Sequence, residues 1–149
     1  MDTNDTISTL NGLIETCRDG QNGFQEASTN ISRSDLKKLF AEASTERATF
    51  VGELQREVRS LGGDPENSGS VAGALHRAWI DVKGTFTGKD DASILTECER
   101  GEDSAVATYR DALGTELPAN IRSLVETQYL AVQSMHDRIR NQRDRAAKA

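Results

Sequence analysis

The chain has 149 residues, which suits one domain and leaves little room for a second. Hydrophobic residues make up 36% of it and recur at helical spacing, which excludes a disordered chain, and only Pro65 and Pro118 could interrupt helices, so we predict an all-α fold. The formal net charge of −6 argues against binding to nucleic acid or to an anionic membrane surface, and no apolar run approaches the roughly 20 residues of a membrane-spanning helix.

The first predicted helix begins near Asp5, which is a suitable N-cap, and its apolar residues keep helical spacing as far as Cys17. Asp-Gly and Asn-Gly pairs in the segment 19–23 are typical of turns. Apolar residues from Phe24 onward nevertheless continue the same period. The sequence leaves two alternatives open: the helix ends at Gly20, or it continues through the glycines at a cost of about 1 kcal/mol each.

The second predicted helix begins at Ser32, which together with Asp35 resembles a capping box. It ends at the pair Gly62-Gly63, because glycine suits the left-handed backbone that follows a helix. A loop over 64–69 comes next, and then a shorter helix that starts at Ser70. The apolar face of this shorter helix comprises Val71, Leu75, Trp79, Val82 and Phe86.

Two further long helices complete the predicted fold. One begins at Asp90 or Asp91 and ends at Gly114, and the last begins around Pro118. The connections are short except for the crossover that contains the shorter helix, and this arrangement is typical of ferritin-type bundles. The last helix ends in a basic stretch whose cations suit a helix C-terminus, with a nucleic-acid-binding arm as the alternative.

Three of the long helices carry polar residues where their apolar stripes require a core residue. A buried carboxylate needs a partner, because desolvating it alone costs several kcal/mol. One interpretation is a structural polar network, for example Glu102 with Arg47 or His136. The other is a metal site, since helical bundles build such sites from inward-facing carboxylates and histidines. The interrupting residues are Glu46 or Arg47 in the second helix, Glu102 in the fourth, and Gln128, Tyr129 and His136 in the fifth.

Several short motifs occur in order along the chain: Leu10–Thr16, Arg47-x-x-Phe50, Leu61-Gly62-Gly63, Leu75–Trp79, Glu97–Asp103 and His136–Ile139. Taken together, they resemble a family of small bacterial four-helix-bundle proteins of unknown function in the ferritin-like group, distantly similar to rubrerythrin and ferritin. The resemblance covers essentially the whole chain. It implies a ferritin-like four-helix bundle with an additional short helix in the crossover between the second and third bundle helices, and it implies no activity.

The resemblance also allows a comparison with the di-iron ligands of the wider ferritin-like group. That group takes one Glu from each of two helices and a Glu-x-x-His pair from each of the other two. By this resemblance Glu46, Glu102 and His136 match ligand positions, whereas other expected ligands are replaced. The replacements are Cys17 for Glu, Thr49 for His and Gln133 for Glu. We therefore expect no ferroxidase-type di-iron site and no cofactor; a single iron, manganese or zinc ion held by Glu46, Glu102 and His136 is the alternative.

These patterns predict one ferritin-like domain over residues 1–149, polar and frayed from about residue 140. Cys17 and Cys98 fall on apolar stripes, and the N-terminus has no signal-peptide pattern, so we expect reduced core thiols in a cytoplasmic protein. The favoured hypothesis is a protein of unknown, non-enzymatic function that acts by interaction or assembly, with a protein partner or with copies of itself, in stress physiology. The competing hypothesis is a metal-binding or redox protein with a degenerate site in the bundle core.

Overall fold

The computed structural model describes residues 2–65, 86 and 88–148. These residues form four α-helices and include no strand, so the all-α prediction is confirmed. The helices are α1 (Thr3–Asn30), α2 (Ser34–Ser60), α3 (Asp91–Leu113) and α4 (Ala119–Lys148). The predicted shorter helix that starts at Ser70 lies outside the described residues, apart from Phe86, which is buried. No helix in the described part of the chain combines the length and the apolar character needed to cross a membrane.

Helix α1 runs without a break through Gly20 and Gly23, so the alternative in which it ends at Gly20 is wrong. Both glycines are buried. A Cβ atom at position 20 would lie 2.9 Å from Arg47 Nη1, so the missing side chain lets an arginine of α2 approach the α1 backbone. This packing offsets the intrinsic cost of glycine in a helix. The helix also begins earlier than predicted, because Asp5 N donates to Asp2 Oδ1 at 2.8 Å and Asp2 is the N-cap.

The capping box predicted at the start of α2 is wrong. The N-cap is Arg33, whose side chain makes no capping hydrogen bond, and Asp35 is paired with that side chain instead. The carboxylate of Asp91, at the start of α3, accepts hydrogen bonds from the backbone N–H groups of Ser32 at 2.8 Å and Arg33 at 3.2 Å. The predicted end of α2 is confirmed, because Gly62 follows it with a left-handed φ of 83°.

Helices α3 and α4 begin within one residue of their predicted positions. Asp90 is the N-cap of α3, and its Oδ1 accepts a hydrogen bond from Ser93 N at 2.8 Å. The carbonyl of Pro118 accepts from Arg122 N at 2.8 Å in the first turn of α4. The two hairpins α1–α2 and α3–α4 pack together chiefly through α1 and α3, and α4 remains helical as far as Lys148.

The buried apolar residues form two clusters rather than one continuous core. The first includes Leu13, Leu54, Tyr109 and Val125, and the second includes Phe24, Phe40, Ile94 and Ile139. Each of the first three helices passes from one cluster to the other, and the buried residues between the clusters include Gly20 on α1, Arg47 on α2 and Glu102 on α3. The centre of the bundle is therefore a polar layer between two apolar clusters.

Candidate functional site

The centre of the bundle holds a buried ion pair between α2 and α3. Arg47 Nη1 donates to Glu102 Oε1 at 2.8 Å, and Arg47 Nη2 donates to Glu102 Oε2 at 2.5 Å. Arg47 is 1% exposed and Glu102 is 0% exposed. The planar guanidinium matches both carboxylate oxygens at once, which makes such pairs strong and geometrically specific. One cation therefore engages both oxygens of Glu102 and balances its charge.

The guanidinium of Arg47 is enclosed by α1. Its Cζ atom lies 5.3 Å from the centre of the Phe24 ring, and its Nη1 lies against the backbone of Gly20. Its Nε donates no hydrogen bond to any of the described residues. Burial acts to lower the pKa of Arg47, but the charge and hydrogen bonds of Glu102 outweigh burial and raise the pKa above its ordinary value. Arg47 is thus a permanent cation inside the bundle.

A second set of buried polar groups joins all four helices. Cys17 Sγ on α1 lies 3.1 Å from Tyr109 Oη on α3. Tyr109 Oη donates to Gln128 Oε1 on α4 at 2.7 Å, and Gln128 Nε2 donates to Glu53 Oε1 on α2 at 3.1 Å. Because Tyr109 has one hydroxyl proton and gives it to Gln128, the thiol of Cys17 is the donor at the other end. The hydrogen-bonded chain thereby fixes one orientation for each of its groups.

The two thiols of the protein are both free and buried. Burial raises the pKa of Cys17 from 9.0 to about 11, although the charge of Arg47 acts in the opposite direction. Burial likewise raises the pKa of Cys98 and the pKa of the Tyr109 phenol. Since the thiolate, not the thiol, is the nucleophile and the metal ligand, neither cysteine is activated for such chemistry at neutral pH.

A second group of charged residues lies around His136, on the face where α3 and α4 pack together. His136 Nε2 is 2.6 Å from Asp103 Oδ1, and its Nδ1 is 3.1 Å from Asp137 Oδ1. The His136 side chain is 15% exposed, whereas that of Asp103 is 62% exposed. Partial burial acts to lower the pKa of His136, but the hydrogen bonds to Asp137 and Asp103 outweigh it and raise the pKa above its ordinary value.

Glu99 completes the group around His136. It is 8% exposed, and its Oε2 lies 2.7 Å from Arg143 Nη1. This contact is close enough for an ion pair, but it lacks the direction of a hydrogen bond, and Oε2 accepts none from the described residues. One ligand atom each of Glu99, Asp103 and His136 lies within 4.8 Å of the other two. We call these three residues the His136 cluster.

The chain was compared with models of known protein families. Residues 5–115 match the model of a domain of unknown function, DUF2383. The chain belongs to this family. A search of curated proteins found no match. The residues matched to DUF2383 include the ion pair of Arg47 with Glu102, as well as Glu99 and Asp103, whereas His136 lies on α4 beyond them.

The structure does not bring the three predicted metal ligands of this DUF2383 protein into one group within its described residues. Glu102 is paired with Arg47, which is one of the two pairings that the sequence suggested. His136 is bound to Asp103 and not to Glu102. Glu46 is partly buried and precedes Arg47, so of the two candidates on α2 it is the arginine that lies fully in the core. The interpretation as a structural network accounts for Glu102, and the metal site remains a prediction.

Sequence reasoning missed Glu99 and Asp103. The gap in the apolar stripe of α3 falls at Glu102, so neither Glu99, which is also buried, nor the exposed Asp103 interrupts the pattern. A usable signal was nevertheless present. The spacing of Glu99 and Asp103 places two carboxylates on one helix face, where residues four apart are neighbours. The spacing within α3 cannot show, however, that His136 of α4 packs onto that face.

Proposed function

We propose that this protein is a ferritin-like bundle without a di-iron centre, which acts non-enzymatically through interaction with a protein partner or through assembly with copies of itself. The observation that carries the first half of the proposal, the lack of a di-iron centre, is the buried pair of Arg47 and Glu102. The guanidinium of Arg47 lies in the polar layer of the bundle. It supplies there the positive charge that a bound metal ion would otherwise supply to Glu102.

Electrostatics disfavour a metal ion at the centre of the bundle. A metal ion that took Glu102 as a ligand would have to displace Arg47, which is 1% exposed. Breaking a buried pair in this way leaves an uncompensated charge and costs about 3–5 kcal/mol. The guanidinium is also held by its packing against Gly20 and the ring of Phe24. The centre is therefore built to hold its own cation in place.

The hydrogen-bonded chain of Cys17, Tyr109 and Gln128 also suits a structural role. Cys17, Tyr109 and Gln128 are each 0% exposed, and their hydrogen bonds run from one to the next. A catalytic nucleophile needs a lowered pKa or an adjacent base, whereas burial raises the pKa of both Cys17 and Tyr109. Free thiols suit a reducing compartment, and we propose a bacterial cytoplasmic location for the protein.

Elemental analysis tests the first half of this proposal. The protein is purified from cells grown with added iron, manganese and zinc, and its metal content and its thermal unfolding with and without chelator are measured. We expect no ion that depends on Glu102: the metal content of the protein should equal that of Glu102→Gln, and chelator should change the unfolding temperature equally in both. A stoichiometric ion that is lost in Glu102→Gln, but kept in the exposed control Asp111→Asn, would contradict the proposal and support the alternative of an iron, manganese or zinc ion held by Glu46, Glu102 and His136.

Mass measurement tests the second half. Light scattering on the purified protein, across a range of concentrations, shows whether copies associate, and proximity labelling in cells shows whether a partner lies next to the chain. We expect either a mass above that of one chain or a reproducible partner. A strictly monomeric protein with no labelled partner would refute a role in interaction or assembly.

A further inference from the structure

We propose that the His136 cluster binds one divalent transition-metal ion on the α3–α4 face, with Glu99, Asp103 and His136 as its protein ligands. The site is distinct from the bundle centre, and it uses neither Glu46 nor Glu102. The inference is independent of the proposed function, because a peripheral ion is compatible with a non-enzymatic bundle.

The geometry of the His136 cluster is close to that of a metal site. Metal bonds to histidine nitrogen and carboxylate oxygen are about 2.0–2.2 Å long, so two ligand atoms of one ion are at most about 4.4 Å apart. The three candidate atoms already lie within 4.8 Å of one another. Glu99 and Asp103 come from one face of α3, and His136 comes from α4. Small side-chain rotations suffice for the three atoms to converge on one ion.

The surroundings of His136 resemble those of a metal-bound histidine. Ligating histidines generally donate the other ring N–H to a carboxylate, which fixes the tautomer and orients the ring. Here Asp137 Oδ1 lies 3.1 Å from Nδ1, and Nε2 is the nitrogen that faces the carboxylates of α3. Asp137 therefore holds the ring so that Nε2 is available as the ligand.

Glu99 is the independent observation that points to a ligand. It is 8% exposed, and its buried Oε2 accepts no hydrogen bond from the described residues. A buried carboxylate oxygen without a directed partner is unfavourable unless a cation satisfies it. The cation nearby is Arg143, whose side chain is 38% exposed and also bonds Asp144 at 3.0 Å. Arg143 can therefore swing toward solvent when a metal ion takes its place.

The ligand chemistry selects the class of ion. One imidazole with two carboxylates suits zinc, manganese or ferrous iron, whereas magnesium and calcium prefer all-oxygen sites. Affinity for such a site rises from manganese through cobalt to copper and falls again at zinc. Zinc and cobalt are therefore the informative probes, cobalt because its visible spectrum reports the coordination geometry. Water completes the coordination, since Asp103 is 62% exposed at the edge of the site.

The test is titration of the metal-free, full-length protein with Zn²⁺ by calorimetry, and with Co²⁺ by absorption spectroscopy. We expect one ion per chain. His136→Asn and Asp103→Asn should abolish binding, and Asp137→Asn should weaken it by about 10–100-fold, as is usual when the partner of a ligating histidine is lost. Arg143→Gln should tighten binding, because it removes the competing cation from Glu99.

Matched variants separate binding at the His136 cluster from binding elsewhere on the chain. His76→Asn alters the other histidine of the chain, Asp111→Asn removes an exposed acid from α3, and neither should change the affinity. The proposal is overturned if Zn²⁺ binds no better than to the His136→Asn protein, or if binding disappears with His76→Asn. It is also overturned if binding requires Glu102, which would instead indicate the central site.

Discussion

Glu99 and Glu102 lie one turn apart on α3, both are almost completely buried, and each faces an arginine from another helix, yet their environments differ. Arg47 binds both oxygens of Glu102 and is itself 1% exposed. Arg143 touches one oxygen of Glu99, and its side chain is 38% exposed. The first arginine has no route to solvent, and the second does.

This contrast shows that the burial of a carboxylate does not by itself decide its role. What decides it is whether the cationic partner can leave. Releasing Arg47 would strand a charge in a low-dielectric interior, whereas releasing Arg143 returns it to water. Glu102 is therefore committed to holding α2 and α3 together, and Glu99 remains available to a ligand. Substitutions that remove one partner at a time test this distinction.

The largest effect is expected from cutting the central pair. Glu102→Gln or Arg47→Met should lower the free energy of unfolding by about 3–5 kcal/mol, because each leaves one buried charge unpaired. The double variant Arg47→Met/Glu102→Leu should recover most of this loss, since it removes both charges and retains apolar volume. Urea unfolding followed by circular dichroism measures all three variants.

The surface cluster supplies the control for this first prediction. Asp103→Asn removes a carboxylate that pairs with His136 in a partly exposed setting, so it should change stability by less than about 1 kcal/mol. If Asp103→Asn and Glu102→Gln destabilise the protein equally, then the difference between the two carboxylates that we draw from burial is wrong.

An intermediate loss of stability is expected at alkaline pH, where the buried thiol of Cys17 ionises. The pKa of Cys17 is raised by burial from 9.0 to about 11, so the unfolded chain loses this proton before the folded protein does. The stability contributed by the buried thiol is complete below pH 9.0 and is lost as pH rises toward about 11, by up to about 3 kcal/mol.

Unfolding free energies measured across that pH range test the titration. Cys17→Ala should flatten the fall, because it removes the titrating group, while the remaining slope reports Cys98 and Tyr109, whose pKa values are also raised. An equally steep fall in Cys17→Ala would show that the thiol does not titrate as its burial predicts.

The smallest effect concerns the glycine against which Arg47 packs. Gly20→Ala places a Cβ 2.9 Å from Arg47 Nη1, and because Glu102 holds that arginine, the substitution should destabilise the protein by about 1–2 kcal/mol. Gly52→Ala is the matched change in α2. It meets nothing within 4 Å and should stabilise by about 0.5–1 kcal/mol through helix propensity. Thermal unfolding of both proteins compares them, and equal shifts would show that the arginine yields without cost.

Local sequence signals were enough to predict where most helices begin and end. Gly62 follows α2 in the left-handed conformation, and Asp90 caps α3, because these signals act within one helical turn. Periodicity also located the polar interruptions in the core, including Arg47 and Glu102. These predictions succeeded because spacing along one helix fixes which residues share a face, before any second helix is present.

How those faces meet depends on the way the helices pack, which local signals do not predict. Asp91, which is distant in sequence, accepts a backbone hydrogen bond just before the start of α2. Helix α1 continues through Gly20, where the missing side chain leaves space for Arg47 of α2. Likewise, the way α2, α3 and α4 are placed against one another pairs Glu102 with Arg47 and His136 with Asp103. Charge and hydrogen bonding act over a few ångströms, so partner choice depends on how the helices are placed against one another, which no spacing within a single helix encodes.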